Sequence, residues 1–326
     1  MMATPCVSVL LLTRNGIGTL PRVLASVRSQ ATAFPIEIVA VDSGSDDGTV
    51  ELLRGQADRL IEIRADEFNH GTTRNLGVEA CRAPLVVLLV QDAEPASADW
   101  LARLVEPLMA EEQAGRTSGG GRPLAGTYAR QVPRPDASAV VREYLQRYPA
   151  TGPTPRRQSI AGQAEFEALP PAGRLAACTF DNVCSCIRRE AWERHPFRSA
   201  PIAEDLAWAR DVMLAGYDLA FVPEAAVVHS HERPAGYELR RTYLVHQQLR
   251  RLFGLAAIPT RAHLARSVAL SALGHIRWTL GGPGGAGAKL ASLPRALALS
   301  VAMPLGQYLG ARSADTGREL LRVRGV

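Results

Sequence analysis

Lysine is almost missing from this chain: Lys289 is the only one, so the formal net charge of +5 is carried nearly throughout by arginine. With so much Ala and Gly, the skew reads as a genome-wide codon preference. The charge total therefore says little about partners, and only the placement of the arginines is informative. Aromatic residues make up 6% of the chain, too few for the stacking platform that single-stranded nucleic acid needs. Five cysteines, Cys6, Cys81, Cys178, Cys184 and Cys186, show no CxxC spacing, which excludes a zinc ribbon. Cys184 and Cys186 stand two apart on one face of an expected strand, an arrangement suited to neither a disulfide nor a metal site alone. A reduced, cytoplasmic protein accounts for them. No window holds the roughly 20 apolar residues of a membrane span. The nearest, Leu290–Leu309, is interrupted by Pro294 and Pro304, and Val7–Leu12 is too short for a signal peptide. No GxGxxG follows the first apolar run, no internal repeat occurs, and no nucleic-acid-binding motif is found.

What remains is an ordinary globular composition, 47% hydrophobic and 21% charged over 326 residues, enough for one large domain with an appendage or for two modest domains. The first hundred residues alternate strand and helix signals. Val7–Leu12, Ile36–Val41 and Leu85–Val90 read as buried strands, and Leu60–Ile63 as a further strand between the last two. Between them lie helices: one around Leu20–Val27 capped by Thr19 with Pro21 in its first turn, a short one at Val50–Leu53, and one at Thr72–Cys81. Such alternation implies right-handed crossovers and a mostly parallel sheet, with ligands at the carboxyl ends of the strands. Gly115–Pro123 reads as a loop, Leu124–Arg130 as a strand, Ala137–Gln146 as a helix and Ala150–Pro171 as a long loop. Phe180–Ile187, Leu219–Val222 and Ala226–His229 complete the strands, with a helix over Ala203–Leu214.

The polar residues concentrate at those strand ends. Asp42-Ser43-Gly44-Ser45-Asp46-Asp47-Gly48-Thr49 offers one carboxylate and small residues whose amides approach a nucleotide. In Phe68–Gly77, Thr72 or Thr73 caps a helix whose N-terminus attracts phosphate, and Arg74 adds a fork of donors. The fourth strand delivers Gln91-Asp92-Ala93-Glu94, where an acid after a buried run is costly unless it holds something such as a divalent cation.

In this order the segments resemble the inverting glycosyltransferases of family 2, with the GT-A fold. The likeness rests on Val7–Asn15, on Val41–Thr49 as the VDxGSxDGT segment, on Arg74–Gly77 as RNxG, and on Gln91-Asp92-Ala93. It spans about residues 7–232, and the FNHGTTRN and QDA forms are closest to the rhamnosyltransferase-like subgroup. Where the family carries DxD this chain has Val90-Gln91-Asp92, so Asp92 corresponds to the second acid and Glu94 stands by to compensate for the first.

The resemblance implies an α/β, Rossmann-like sandwich over residues 1–236, followed by a basic helical tail over 237–326. The donor, a nucleotide-diphosphate sugar such as dTDP-rhamnose, is expected on Thr13, Arg14, Asn15, Asp42, Ser43, Gly44, Arg74, Asn75 and Gln91. Asp92, with His229 or His231, is expected to hold Mn²⁺ or Mg²⁺, and imidazole favours the former. Glu204-Asp205 matches the family's ED pair, with Asp205 as the base that takes the acceptor proton, kept ionised by the helix N-terminus. Asp181, Asn182 and Trp208 are expected beside the acceptor, a glycan or lipid-linked hydroxyl of the cell envelope. In the tail, Arg240, Arg241, Arg250, Arg251, Arg261, Arg266, Arg277 and Arg295 alternate with aliphatic residues and few acids. Such helices suit either a membrane surface, on the inner face of the cytoplasmic membrane, or a solvated helical cap. Two rival readings are a nucleotidyltransferase on a similar sheet and a degenerate nucleotide-sugar-binding protein. The first lacks its Gly-rich, Arg- and Lys-bearing opening loop at Asn15–Gly18. The second draws on the missing first acid at Val90 and is opposed by Asp205.

Overall fold

The computed structural model describes residues 6–114, 121–321 and 323. Its first strands follow directly from the apolar runs. β1 (Val7–Thr13) and β2 (Ile36–Asp42) pair in parallel from Val7 opposite Ile36 to Thr13 opposite Asp42. The helix between them, α1 (Leu20–Arg28), buries Leu20, Val23, Leu24 and Val27, the one face that its spacing makes apolar. After α2 (Thr49–Gln56) the short β3 (Arg59–Glu62) extends β2 in parallel. α3 (His70–Ala80) then leads to β4 (Leu85–Val90), which pairs in parallel along the other edge of β1, with Leu12 opposite Val90. Because β1, β2 and β4 share direction and register, their carboxyl ends finish level and form one rim.

The sheet continues through β5 (Glu94–Pro95), α4 (Trp100–Gln113), β6 (Leu124–Val132), α5 (Ala139–Gln146), β7 (Arg156–Gln158), α6 (Gln163–Ala168), α7 (Pro171–Ala177), β8 (Cys184–Arg188), α8 (Arg189–Arg194), α9 (Glu204–Leu214) and β9 (Asp218–Val228). The described strands form one sheet in the order β3-β2-β1-β4-β8-β6-β9-β5, with β7 also on β9. β8 runs antiparallel to both β4 and β6, whereas β6 and β9 are parallel, so the sheet is mixed but mostly parallel in its first half. The core lies between this sheet and α1 and α4, around Trp100, Leu101, Leu104 and Val105. The five cysteines are free thiols; Cys184 and Cys186 face the core from β8, where burial pushes both thiols up.

Several expectations change. Ala150–Pro171 is not irregular: it contains β7 and α6, because Arg156–Gln158 finds an edge of β9 to pair with, a partner far off in sequence. Phe180–Val183 is not strand, which starts only at Cys184. Leu219–Val222 and Ala226–His229 are one strand, β9, whose pairing with β6 shifts register between Ala129 and Arg130. Within the expected Gly115–Pro123 loop, residues 115–120 lie outside the described residues.

By packing, the chain divides into two units: Met1–Val132, Pro149–Ala168 and Ala176–His229 form the first, and Pro133–Tyr148, Leu169–Leu175 and Ser230–Val326 the second. The second contains α10 (Ala235–Phe253), α11 (Arg261–Gly281) and α12 (Ala286–Thr316). Pro294 and Pro304 do not break α12, which continues through both, but each removes a backbone donor. Gly306 lets α12 lie close on α10: a Cβ there would sit 2.7 Å from the carbonyl oxygen of Leu239, and one at Gly310 would clash with that of Tyr243. The buried imidazole of His275 ties three helices, contacting the Tyr144 hydroxyl at 2.8 Å, the Ala296 carbonyl at 2.8 Å and the Ser300 hydroxyl at 2.7 Å. Among the described residues no helix is long and apolar enough to cross a membrane.

Candidate active site

The rim at the ends of β1, β2 and β4 is held by its own polar side chains. Register places Thr13 beside Asp42, and the Thr13 hydroxyl donates to the Asp42 carboxylate at 2.8 Å. That carboxylate also accepts from the Ser45 amide at 2.8 Å and the Ser45 hydroxyl at 2.6 Å. Gly44 takes a φ of +77°, which favours glycine and lets the chain turn back over the strand end. Asn15, at φ +48°, accepts from the Asp46 amide at 3.0 Å, and its own amide donates to Ser45 at 2.8 Å. The Ser43 hydroxyl is buried and its amide donates to the Thr13 carbonyl. The amide of Gln91 clamps the Arg14 backbone, accepting from its N–H and donating to its carbonyl, each at 2.9 Å. Thus Thr13, Asp42 and Gln91 shape the two loops, and Arg14 is the exposed cation on this rim.

α3 starts two residues earlier than expected. Asn69, not Thr72 or Thr73, is its cap, accepting from the amides of Gly71 at 3.1 Å and Thr72 at 3.2 Å. Arg74 is only 6% exposed, and its guanidinium pairs with Glu204 at 2.7 Å instead of presenting an open fork to a phosphate. The Asn75 side chain donates to the Phe197 carbonyl and accepts from Trp192 and the Phe197 amide, so it anchors α3 to the segment before α9 and is a structural residue here.

Glu204 and Asp205 open α9, as the sequence implies, but their two carboxyls differ. Burial alone would raise Glu204; the Arg74 guanidinium, with His70 and the Asn182 amide, outweighs it and holds the group below its ordinary range. Asp205 is pushed up to about 8 by burial, by the neighbouring Glu204 charge and by Asp181. The helix terminus does donate, through the Leu206 amide at 2.8 Å, yet it does not keep Asp205 ionised as expected. A carboxyl tuned near neutrality is a stronger proton acceptor, once ionised, than an ordinary aspartate.

The expected acceptor-side residues are buried. Trp208 is 1% exposed, packed on Phe180 and Phe197 with its indole N–H on the His195 carbonyl, and is core. Asn182 donates to Glu204 at 3.2 Å and accepts from Ser185, and its backbone amide faces Asp205 at 3.4 Å. Asp181 accepts from the Val183 amide at 2.9 Å and from the Gln131 side chain. Both therefore set the carboxyl pair in place from behind.

The candidate metal ligands do converge. Asp92 follows β4 and His229 follows β9; the imidazole Nε2 is 3.6 Å from the Asp92 carboxylate. His231 follows two residues along the chain, and ligand atoms of Asp92, His229 and His231 lie within 4.8 Å of one another. One carboxylate and two imidazoles fit a divalent cation with some affinity for nitrogen, Mn²⁺ above Mg²⁺. Glu94 is not in this group; it faces Arg22 at 3.7 Å.

Gln131 escaped the sequence reading. Asp181, an acceptor when ionised, takes the Gln131 amide nitrogen, which turns the amide oxygen to His229 Nδ1 at 2.9 Å. A carbonyl oxygen only accepts, so Nδ1 carries the proton and the neutral imidazole keeps its lone pair on Nε2, toward Asp92. The only signal was a glutamine in a largely buried strand, and Thr127 and Arg130 in the same strand blunt it.

A Rossmann-like sheet with a carboxylate–imidazole cluster and a tuned carboxyl at a helix start is the arrangement of a glycosyltransferase of the GT-A fold. Comparisons agree. Residues 8–149 match the profile described as glycosyl transferase family 2. The O-antigen chain rhamnosyltransferase RfbN of Salmonella typhimurium is 27% identical over 246 residues, 73% of this chain and 70% of that protein. The O-antigen chain rhamnosyltransferase WbaN of Salmonella anatum is 25% identical over 218 residues, 65% of this chain and 62% of its own length. The mannosyltransferase PcManGT of Pyrobaculum calidifontis, solved with GDP-Man and Mn²⁺, shares the fold with a TM-score of 0.58 at 18% identity, covering 97% of this chain and 89% of that one. The chain is a glycosyltransferase, similar over residues 8–149 to glycosyl transferase family 2 and over most of its length to the O-antigen rhamnosyltransferases.

Proposed function

We propose that this enzyme transfers rhamnose from dTDP-rhamnose, with inversion, to a hydroxyl of a lipid-linked cell-envelope glycan on the inner face of the membrane. The catalytic part is residues 1–236, and residues 237–326 serve as a basic helical tail. The observation that carries the reading is one connected set of groups: Asp92, His229, Gln131 and Asp181, then the Asn182 backbone against Asp205. It links a site suited to a diphosphate's cation with a base suited to an acceptor hydroxyl. The rhamnose assignment rests on the named activities of the two Salmonella relatives.

In this reading the rim loops of residues 13–15 and 42–45 bind the nucleotide, with Arg14 free to turn toward phosphate. A divalent cation held by Asp92, His229 and His231 would neutralise charge on the departing diphosphate. Asp205, ionised, takes the acceptor proton as the hydroxyl attacks the anomeric carbon opposite the leaving group. Glu204 stays charged against Arg74, which keeps Asp205 the group that gains and loses the proton.

The test combines binding and turnover. Nucleoside diphosphates and their sugars are screened for thermal stabilisation with and without Mn²⁺; a ligand at a hundredfold excess over Kd adds about 2.7 kcal/mol. A Mn²⁺-dependent shift with dTDP species alone, and loss of transfer but not of binding in Asp205→Asn, is expected. Stabilisation by another nucleotude's diphosphate would replace the donor, and undiminished turnover in Asp205→Asn would remove it as base.

A further inference from the structure

The second unit leaves a set of its leucines exposed. On α11, Leu270, Leu273 and Leu280 are 57%, 66% and 47% exposed, and their spacing of three and seven places them along one side. On α12, Leu290, Leu297 and Val301 are 61%, 41% and 48% exposed, spaced seven and four, again a single stripe. The acid distribution is as uneven. Between Glu238 and Asp315 there is no Asp or Glu, while Arg240, Arg241, Arg250, Arg251, Arg261, Arg266, Arg277, Lys289, Arg295 and Arg312 fall in that stretch. Removing these ten from the 37 cations leaves 27 against 32 acids, so the rest of the chain is net acidic. Exposed Arg266 and Arg277 lie on the same helix as the first leucine stripe. A groove of about 770 Å³ in this unit is walled by Leu270, Trp278 and Met303 and carries Arg277, with Arg147 paired to Glu143 in its lining.

We infer that α11 and the first half of α12 form a docking face for an anionic lipid bilayer. Apolar stripes with interspersed cations are the pattern of a helix lying in the headgroup region, where leucines enter the acyl boundary and arginines meet lipid phosphates. The helices are not apolar enough to span, so they lie on the surface. A second copy of the chain is a poorer occupant, because α11 and the first half of α12 bear cations and no acids and so repel their own copy. A nucleic acid would answer the cations but leave the leucines in water. The inference deepens the lipid-linked acceptor reading and names the partner of the tail.

The test is flotation of the full chain with vesicles of phosphatidylcholine alone or mixed with phosphatidylglycerol. The chain is expected to float with the anionic vesicles, to do so less at high salt, and to stay below with the neutral ones. The variant L273D/L290D/L297D, changed only at exposed positions, is expected to lose about tenfold or more of this binding, with an unchanged melting temperature. R266E/R277E is expected to act in the same direction. Equal flotation of variant and parent, equal flotation on neutral and anionic vesicles, or a dimer of the parent that L273D/L290D/L297D dissociates would overturn the assignment. Flotation requires neither donor nor acceptor, so docking and transfer chemistry fail separately.

Discussion

Each polar residue near the site serves either the ligand or the protein, and the two are separable by substitution. Arg74 and Glu204 form a buried pair with 8% and 5% side-chain exposure, so Arg74→Met leaves an uncompensated carboxylate and is expected to cost about 3–5 kcal/mol. Adding Glu204→Gln should recover much of that loss in urea melts; no recovery would mean that Arg74 acts through packing alone. Gln131 predicts a different signature. Gln131→Leu releases the His229 tautomer and should weaken Mn²⁺ about 10–100-fold, measured by titration of the metal alone. Asp181→Asn should weaken it in the same direction, although Asp181 is outside the candidate ligand set, because the Gln131 amide is then no longer held in one orientation. Unchanged Mn²⁺ affinity in both variants would remove Gln131 from that role.

At the scale of elements, the contact of α12 on α10 depends on glycine. Gly310→Val would drive a side chain into the Tyr243 carbonyl and is expected to destabilise the helical unit by about 1–3 kcal/mol. Gly287, in the first turn of α12 with open space around its Cβ position, is the control: Gly287→Ala should stabilise by about 0.4–1 kcal/mol. Equal effects at the two positions would mean that helix propensity, not close approach, decides. The first half of the sheet was legible because β1, β2 and β4 are contiguous apolar runs and α1 between the first two has its own apolar face. β7 was not, because three polar residues become strand only when the edge of β9 is beside them.

At the scale of the whole molecule, the two units should respond to pH in opposite senses. In the first, Asp205 is raised to about 8, so the folded state holds a proton that the unfolded state releases above the ordinary aspartate value of 3.8, and stability falls as pH rises toward 8. In the second, burial lowers His246 to about 4 and lowers His275 as well, so the unfolded state binds the extra protons and stability is lost as pH falls below 6.5. Calorimetry between pH 5 and 8 is expected to show one transition moving down and another moving up. Asp205→Asn should flatten the first alone; a pH response identical in that variant would contradict the raised carboxyl.

The order of the first four strands, the loops at their ends, the acid after β4 and the acid pair opening α9 were determined by sequence, because each is a local pattern of a few consecutive residues. Which of those polar groups remain available was decided by tertiary structure. Arg74 meets Glu204, Asn75 meets Phe197, and Gln131 meets both Asp181 and His229, over separations of 122, 50 and 98 residues for the last three contacts. A buried donor or acceptor must find a partner wherever the fold places one. No local pattern records that choice, so residues expected to face the ligand turn inward and hold the site from behind.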